Sequence, residues 1–243
     1  DSTIRSEVER KQIMKCLIII PAYNEAENIE KVVDNIINNY PQYDYVIVND
    51  GSTDATRKIC KEKGYNLLDL PVNVGLAGAI KSGIKYANYY QYEYVVQIDG
   101  DGQHDPYYIS NMMNIMRECN ADIVIGSRFV NEKKALNGRM LGSNIISAAI
   151  RITTGKKIND VTSGMRLFNK NMIKKFGYQI NYGPEPDTLA YLLNCGINIK
   201  EVQVNMRERM AGTSYLTLGR SVSYMLHMLY GILIFQWFRK RER

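Results

Sequence analysis

The first half of the chain alternates short apolar runs with amphipathic stretches of helix length. The runs Cys16–Ile20, Tyr45–Val48, Asn66–Leu70, Tyr94–Ile98 and Asp122–Gly126 are rich in Ile and Val, as strands covered on both faces of a parallel sheet should be. The breaks between elements are legible too. Asn24 with Glu27 reads as a capping box before Ile29, Val32, Val33 and Ile36. Ser52 reads as the cap of a helix that stops near Gly64, and Asp105-Pro106 as a cap followed by a first-turn proline. The order predicts an α/β fold, a doubly wound and mainly parallel sheet flanked by helices, with ligands at the carboxyl ends of the strands.

The second half is less regular. Leu141–Thr153, Asn169–Phe176 and Asp187–Asn194 have helical patterns, and Ile199–Val204 reads as a strand. No repeat, low-complexity tract or linker interrupts the chain. The expected organisation is an N-terminal extension over 1–13, a main domain over 14–215 and a C-terminal helix with a basic tail over 216–243.

Composition narrows the function classes. With 243 residues, 45% apolar and 23% charged, the chain can build a core without staples. Its four cysteines (Cys16, Cys60, Cys119, Cys195) form no Cys-x-x-Cys, and there are only two histidines, His104 and His227. That excludes a structural zinc site and a disulfide framework, and it suits thiols in a reducing cytoplasm. Residues 1–13 are polar and balanced in charge, unlike a signal peptide. The net charge of +6 suggests an anionic partner without choosing among nucleic acid, nucleotide and lipid headgroup. Nucleic acid is disfavoured, because neither a recognition motif nor a basic–aromatic stripe is present.

Three strand ends carry polar clusters: Pro21-Ala22-Tyr23-Asn24-Glu25, Asn49-Asp50-Gly51-Ser52-Thr53-Asp54, and Asp99-Gly100-Asp101-Gly102-Gln103-His104-Asp105-Pro106. The first lacks the Gly-x-Gly-x-x-Gly of a dinucleotide site, and no Gly-x-x-x-x-Gly-Lys-Ser/Thr loop occurs anywhere. Any phosphate needs another device. Two carboxylates at i and i+2 after a buried strand can converge on a hard cation, Mg2+ or Mn2+, that keeps positions open for substrate phosphates. Gln103 adds a neutral oxygen.

Taken in order, P-A-Y-N-E, V-N-D-G-S-T-D, N-V-G-L-A-G-A and D-G-D-G-Q-H-D-P resemble the signature of family 2 inverting glycosyltransferases with the GT-A fold. Within that family the chain resembles the branch that includes dolichol-phosphate-mannose synthase and other polyprenyl-phosphate sugar transferases. G-S-R at 126–128, D-V-T-S-G-M-R at 160–166 and R-E-R-M-A-G-T-S at 207–214 continue the pattern. The resemblance implies a nucleotide-diphosphate sugar donor, UDP- or GDP-linked. Pro21, Ala22, Tyr23, Glu25, Val48 and Asp50 then contact base and ribose. It makes Asp99, Asp101 and Gln103 the metal ligands around Gly100, with Asp101 the firmer carboxylate. It assigns the donor diphosphate to Arg209 and the acceptor phosphate to Arg128, Arg139 and Ser143. Ser163, Gly164 and Arg166 match a pocket-shaping turn. Asn73, Gly75 and Gly78 match a loop that opens a helix, where the glycines also suit close packing. The branch often has lysine just after Gly-x-Ser, whereas this chain has Tyr215.

Two acceptors are compatible with these residues. A polyprenyl phosphate is already anionic near neutral pH and needs no general base. A sugar hydroxyl of a cell-surface polysaccharide intermediate needs one, and Glu185 or Asp187 in G-P-E-P-D-T occupies the matching place. Both acids also suit a helix N-terminus. A non-catalytic nucleotide-sugar or membrane-binding module is the remaining reading, and paired acids at the strand end argue against it. The C-terminal region favours lipid. Residues 221–238 carry no Asp, Glu, Lys or Arg, and Arg239-Lys240-Arg241-Glu242-Arg243 follows. Ser221, Ser223, His227 and Gln236 dilute the run, so an interfacial helix is expected rather than a span. Trp237 and Phe238 would sit in the headgroup zone. The expected location is peripheral, on the cytoplasmic side of the cell membrane. The same helix could instead pack on the protein, or meet a second copy or a small membrane-protein partner.

Overall fold

The structure is a computed structural model that describes residues 15–132, 138–180, 183–207, 218–234 and 238, with the side chains of 138, 139 and 218–222 outside the description. The strands are β1 (Cys16–Ala22), β2 (Asp44–Asp50), β3 (Leu67–Leu70), β4 (Tyr94–Gln97), β5 (Ile123–Ser127), β6 (Arg166–Asn169) and β7 (Ile199–Gln203). They form one sheet in the order β3-β2-β1-β4-β6-β5-β7. β6 alone runs antiparallel, between β4 and β5. The helices are α1 (Ile29–Asn39), α2 (Thr56–Glu62), α3 (Gly75–Tyr89), α4 (Ile109–Glu118), α5 (Gly138–Thr154), α6 (Lys170–Lys174), α7 (Pro186–Asn194) and α8 (Leu218–Leu233).

Alternation along β1 divides the core. Leu17 and Ile19 join α3, α5, α6, α7 and α8 on one face, while Ile18 and Ile20 join α1 and α4 on the other. Each such side chain, fully removed from water, contributes about 1.5–3 kcal/mol. Gly83 brings α3 close to β1, since a Cβ there would stand 2.5 Å from Ile19 Cγ2.

The five expected strands of the first half are present. β3 is the exception in burial: its residues are only half-buried, because it lies at the sheet edge. β6 is not foreseen by the sequence pattern. Its four residues follow a polar turn and run straight into α6, so no isolated apolar run marks them. Asn169 caps α6 by accepting from Met172 N–H at 2.9 Å, and the helix continues into a π-helical turn over Lys175–Gln179.

Two expected caps are corrected. Asn24 does not open α1, which starts after Asn28. It adopts φ +57°, and its Oδ1 accepts from Thr53 N–H at 2.9 Å. Ser52 does not cap α2 either, since its Oγ accepts from Asn24 N–H at 3.0 Å. Both residues clasp the β1 and β2 loops together instead. The Asp105-Pro106 cap forms as expected, with the Asp105 side chain accepting from Tyr107 N–H. All four cysteines are free thiols.

Candidate active site

The site lies where the strand order reverses, at the carboxyl ends of β1 and β4, the usual crevice of an open α/β sheet. Because β6 is antiparallel, its start lies at that same edge, with Arg166 opposite Gln97 and Ile125.

The β1 and β2 loops build the first wall. Pro21, Ala22 and Val48 are buried strand residues, and Tyr23 is half-exposed. Glu25 N–H donates to Thr56 Oγ1 at 2.9 Å, and Glu25 Oε2 accepts from Asn28 Nδ2 at 2.8 Å. Asp54 Oδ2 accepts from Ala26 N–H at 3.1 Å. Asp50 is 3% exposed, and its Oδ1 accepts from Val74 N–H at 2.7 Å, which ties the start of α3 to β2. Gly51 is required there: it has φ +64°, and a Cβ would stand 2.6 Å from Asn73 N. Asn73 Oδ1 accepts from Gly75 N–H at 3.0 Å. A Cβ on Gly78 would meet Val74 Cγ2 at 2.7 Å, so this loop is at least a packing device.

The acidic loop after β4 forms the centre. Gly100 rides against β1, where a Cβ would lie 3.2 Å from Pro21 O and 3.5 Å from Glu25 Cγ. Asp99 Oδ1 accepts from Gln97 Nε2 at 3.2 Å. Asp99 N–H donates to His104 Nδ1 at 3.1 Å, which leaves that ring's proton on Nε2. Asp101 is 4% exposed, and its Oδ1 accepts from Gln103 N–H at 3.1 Å. Gln103 O accepts from Arg207 N–H at 2.9 Å, while Arg207 donates through Nη2 to Asp105 Oδ2. The loop is thus pinned from β1, from His104 and from the segment after β7.

Among the described residues no group of three or more His, Cys, Asp and Glu side chains is arranged for a metal. The donors available at this corner are two carboxylates and one amide, all oxygen. Such a set fits a hard divalent cation that completes its shell with water and substrate phosphate.

The turn before β6 closes on Asp99. A Cβ on Gly164 would stand 2.6 Å from Asp99 Oδ2 and 2.9 Å from His104 Cε1. Arg166 is buried and holds this turn, donating from Nε to Ser163 O at 3.0 Å and from Nη2 to Val161 O at 2.8 Å. Burial pushes its guanidinium pKa down, and the Glu185 carboxylate leads the charges that oppose this, ahead of Asp160 and Asp99.

Arg128 and Ser143 sit further out. Arg128 Nε and Nη2 donate to Asp160 Oδ2 and Oδ1 at 2.7 and 2.8 Å, a bidentate fork on a fully buried carboxylate. Any phosphate contact by Arg128 therefore has to use the rest of its guanidinium. Ser143 is buried on α5. The Arg139 side chain, Arg209, Tyr215, Trp237 and the tail over 239–243 lie outside the described residues. Glu185 and Asp187 flank the start of α7, with Pro186 in its first turn. Asp187 is 9% exposed.

Sequence reasoning missed Asp160 and Arg207. Asp160 opens the recognised D-V-T-S-G-M-R stretch, so its position was visible. Its partner lies 32 residues away, and no local pattern encodes that pairing.

α8 does pack on the protein, through Met228 and Ile232. Ser223 and His227 are exposed while Gly231 is buried. Leu226, Tyr230, Leu233 and Ile234 point outward. The packed and the exposed apolar residues thus lie on opposite faces of the same helix. Among the described residues no helix is long and apolar enough to cross a membrane.

This architecture is the GT-A type of α/β fold. The glucosyl-3-phosphoglycerate synthase of Mycobacterium tuberculosis, solved in complex with Mn2+, uridine diphosphate and phosphoglyceric acid, superposes with TM-score 0.68 at 19% identity, over 94% of this chain and 81% of that one. At that identity the likeness speaks for the fold alone. The sequence profile of Glycosyl transferase family 2 matches residues 17–177, and the chain belongs to that family of enzymes. It is 27% identical over 216 residues to polyprenol monophosphomannose synthase of Mycolicibacterium smegmatis, covering 84% of this chain and 81% of that protein. It is 30% identical over 241 residues to the UDP-N-acetylglucosamine–dolichyl-phosphate N-acetylglucosaminyltransferase of Methanococcus voltae, covering 87% and 94%.

Proposed function

We propose that the protein is a metal-dependent inverting glycosyltransferase that moves a hexose from a UDP- or GDP-linked donor to polyprenyl phosphate at the cytoplasmic face of the membrane. The observation that carries this reading is the pinned acidic corner, with Asp99, Asp101 and Gln103 at the switch point beside Glu25. The names of the two relatives support a polyprenyl-phosphate acceptor.

In this reading Pro21, Ala22, Tyr23, Glu25, Val48 and Asp50 hold base and ribose. Glu25 and Asp50 accept hydrogen bonds from N–H or hydroxyl groups of the nucleotide. Asp99, Asp101 and Gln103 would hold Mg2+ or Mn2+, whose positive charge stabilises the departing diphosphate when bound. Arg209 contacts the donor diphosphate, and Arg128, Arg139 and Ser143 face the acceptor phosphate. The acceptor oxygen attacks the anomeric carbon opposite the leaving group, which inverts configuration in one displacement. No proton has to be removed from a phosphate monoester dianion. Residues 14–215 form the catalytic domain and residues 216–243 the membrane-associating appendage.

A hydroxyl acceptor is the second reading, favoured by the burial of Asp187 at a helix start. Here Asp187 or Glu185 is the base, both at the start of α7. A donor screen across UDP- and GDP-hexoses, with and without Mn2+ and polyprenyl phosphate, tests both. Transfer that needs polyprenyl phosphate and survives Asp187→Asn supports the first reading. Transfer abolished by Asp187→Asn supports the second.

A further inference from the structure

The outer wall of the site is closed by a helix from the far end of the chain. Tyr224 on α8 donates its hydroxyl to Glu185 Oε2 at 2.5 Å. Two helical turns further along, Gly231 lies against Asp187, where a Cβ would stand 2.9 Å from Asp187 Cβ and 3.1 Å from its Oδ2. α8 therefore touches both acids that flank the start of α7.

We infer that Tyr224 is a positioning residue, which acts through Glu185 to set the start of α7 and the Ser163–Arg166 turn against the acidic corner. Hydrogen bonds and one charge interaction link these groups. Tyr224 fixes one carboxylate oxygen of Glu185. The Glu185 charge steadies the buried Arg166 guanidinium. Arg166 holds the carbonyls of Ser163 and Val161, and Gly164, which follows Ser163, abuts Asp99. Burial first, and then the Glu185 carboxylate, push the Tyr224 phenol pKa up, so its proton stays available for donation. Glu185 N–H and O are themselves engaged, with Gly183 O and Leu189 N–H, so movement of its side chain is felt at the α7 start. Gly231 supplies the clearance that lets α8 lie this close. The outward face of the same helix carries the exposed Leu226, Tyr230, Leu233 and Ile234, so whatever holds that face also holds Tyr224 over Glu185.

This inference deepens the proposed transferase reading, and its test has an arm that does not depend on that reading. The full chain, its Tyr224→Phe variant and a control variant of the exposed Tyr178, Tyr178→Phe, are compared by hydrogen–deuterium exchange. Tyr224→Phe should speed exchange over residues 161–166 and 183–192 by about 10-fold and leave β1 and β2 unchanged. Tyr178→Phe should match wild type. In the transfer arm, with the UDP- or GDP-hexose that supports turnover onto polyprenyl phosphate, Tyr224→Phe should lower kcat about 10-fold with the donor KM within about 2-fold. The double variant with Glu185→Gln should be no slower than the worse single variant, within about 2-fold, because both act through one contact. Unchanged exchange over those segments, or effects that multiply in the double variant, overturn the inference. A wild-type chain that transfers nothing to polyprenyl phosphate sinks the acceptor reading, and the exchange arm then still decides the role of Tyr224.

Discussion

Gly164 shows how much of the site depends on a single missing atom. Its Cα faces both oxygens of Asp99, and a methyl group there would stand 2.6 Å from Oδ2 and 3.0 Å from Oδ1. Either the turn or the carboxylate must shift. Gly164→Ala should lower stability by about 1–3 kcal/mol, read by thermal denaturation, and slow transfer by about 100-fold through misplacement of Asp99. A stable variant with wild-type turnover would show that Asp99 tolerates displacement. Asp69 carries a different lesson. Burial alone would raise its carboxyl pKa, but the Asn49 amide and the Arg57 guanidinium outweigh that and hold it below the ordinary 3.8. A carboxyl lowered in the folded state stabilises the protein above its unfolded pKa, and that stability is lost as pH falls through the folded value. Asp69→Asn should therefore lower the melting temperature at neutral pH, with the difference from wild type shrinking as pH falls below the ordinary carboxylate range and the native carboxylate is protonated.

Among the elements, β1, β2, β4 and β5 were legible because each is an apolar run bounded by turn residues, and a buried parallel strand has no other simple pattern. The acidic ends of β1, β2 and β4 were legible for the same reason, since polarity resumes abruptly where the strand leaves the core. β6 was not, because its four residues gain their identity from β4 and β5 on either side. Asn24 and Ser52 misled because their side chains bond across loops, 29 and 28 residues away, while the capping pattern reads only local spacing. α8 was expected as an interfacial helix, and its inner face proves to be packed against Glu185 and Asp187. The proposed membrane contact would use its outward face. Leu226 and Tyr230 are 63% and 56% exposed, so Leu226→Asp with Tyr230→Asp should leave the fold unchanged while charging that face. Such a variant should lose binding to vesicles containing anionic lipid by at least about 10-fold in sedimentation assays. Retained binding would move the membrane contact elsewhere.

At the scale of the whole molecule, the doubly wound sheet gathers loops from distant parts of the sequence at one edge. The β1 and β2 loops clasp each other, the β4 loop lies between them and the β6 turn, and α7 with α8 closes the far side. On the outer surface, Leu141, Ile145 and Ile152 of α5 are exposed, and residues 138–157, like 218–241, contain no Asp or Glu. Exposed apolar residues in acid-free stretches, together with a crevice lined with acids, suit an enzyme that takes a polar donor from water and an acceptor from an anionic lipid surface. The central claim is that the corner made by Asp99, Asp101 and Gln103 works by holding a divalent ion. The most direct measurement is transfer by the full chain across a Mn2+ titration, wild type against Asp101→Ala, with chelator as baseline. The account predicts wild-type turnover that vanishes with chelator and returns with Mn2+, and an Asp101→Ala rate lower by at least about 100-fold at every Mn2+ concentration. Wild-type turnover that persists in chelator, or an Asp101→Ala variant as fast as wild type, would contradict it.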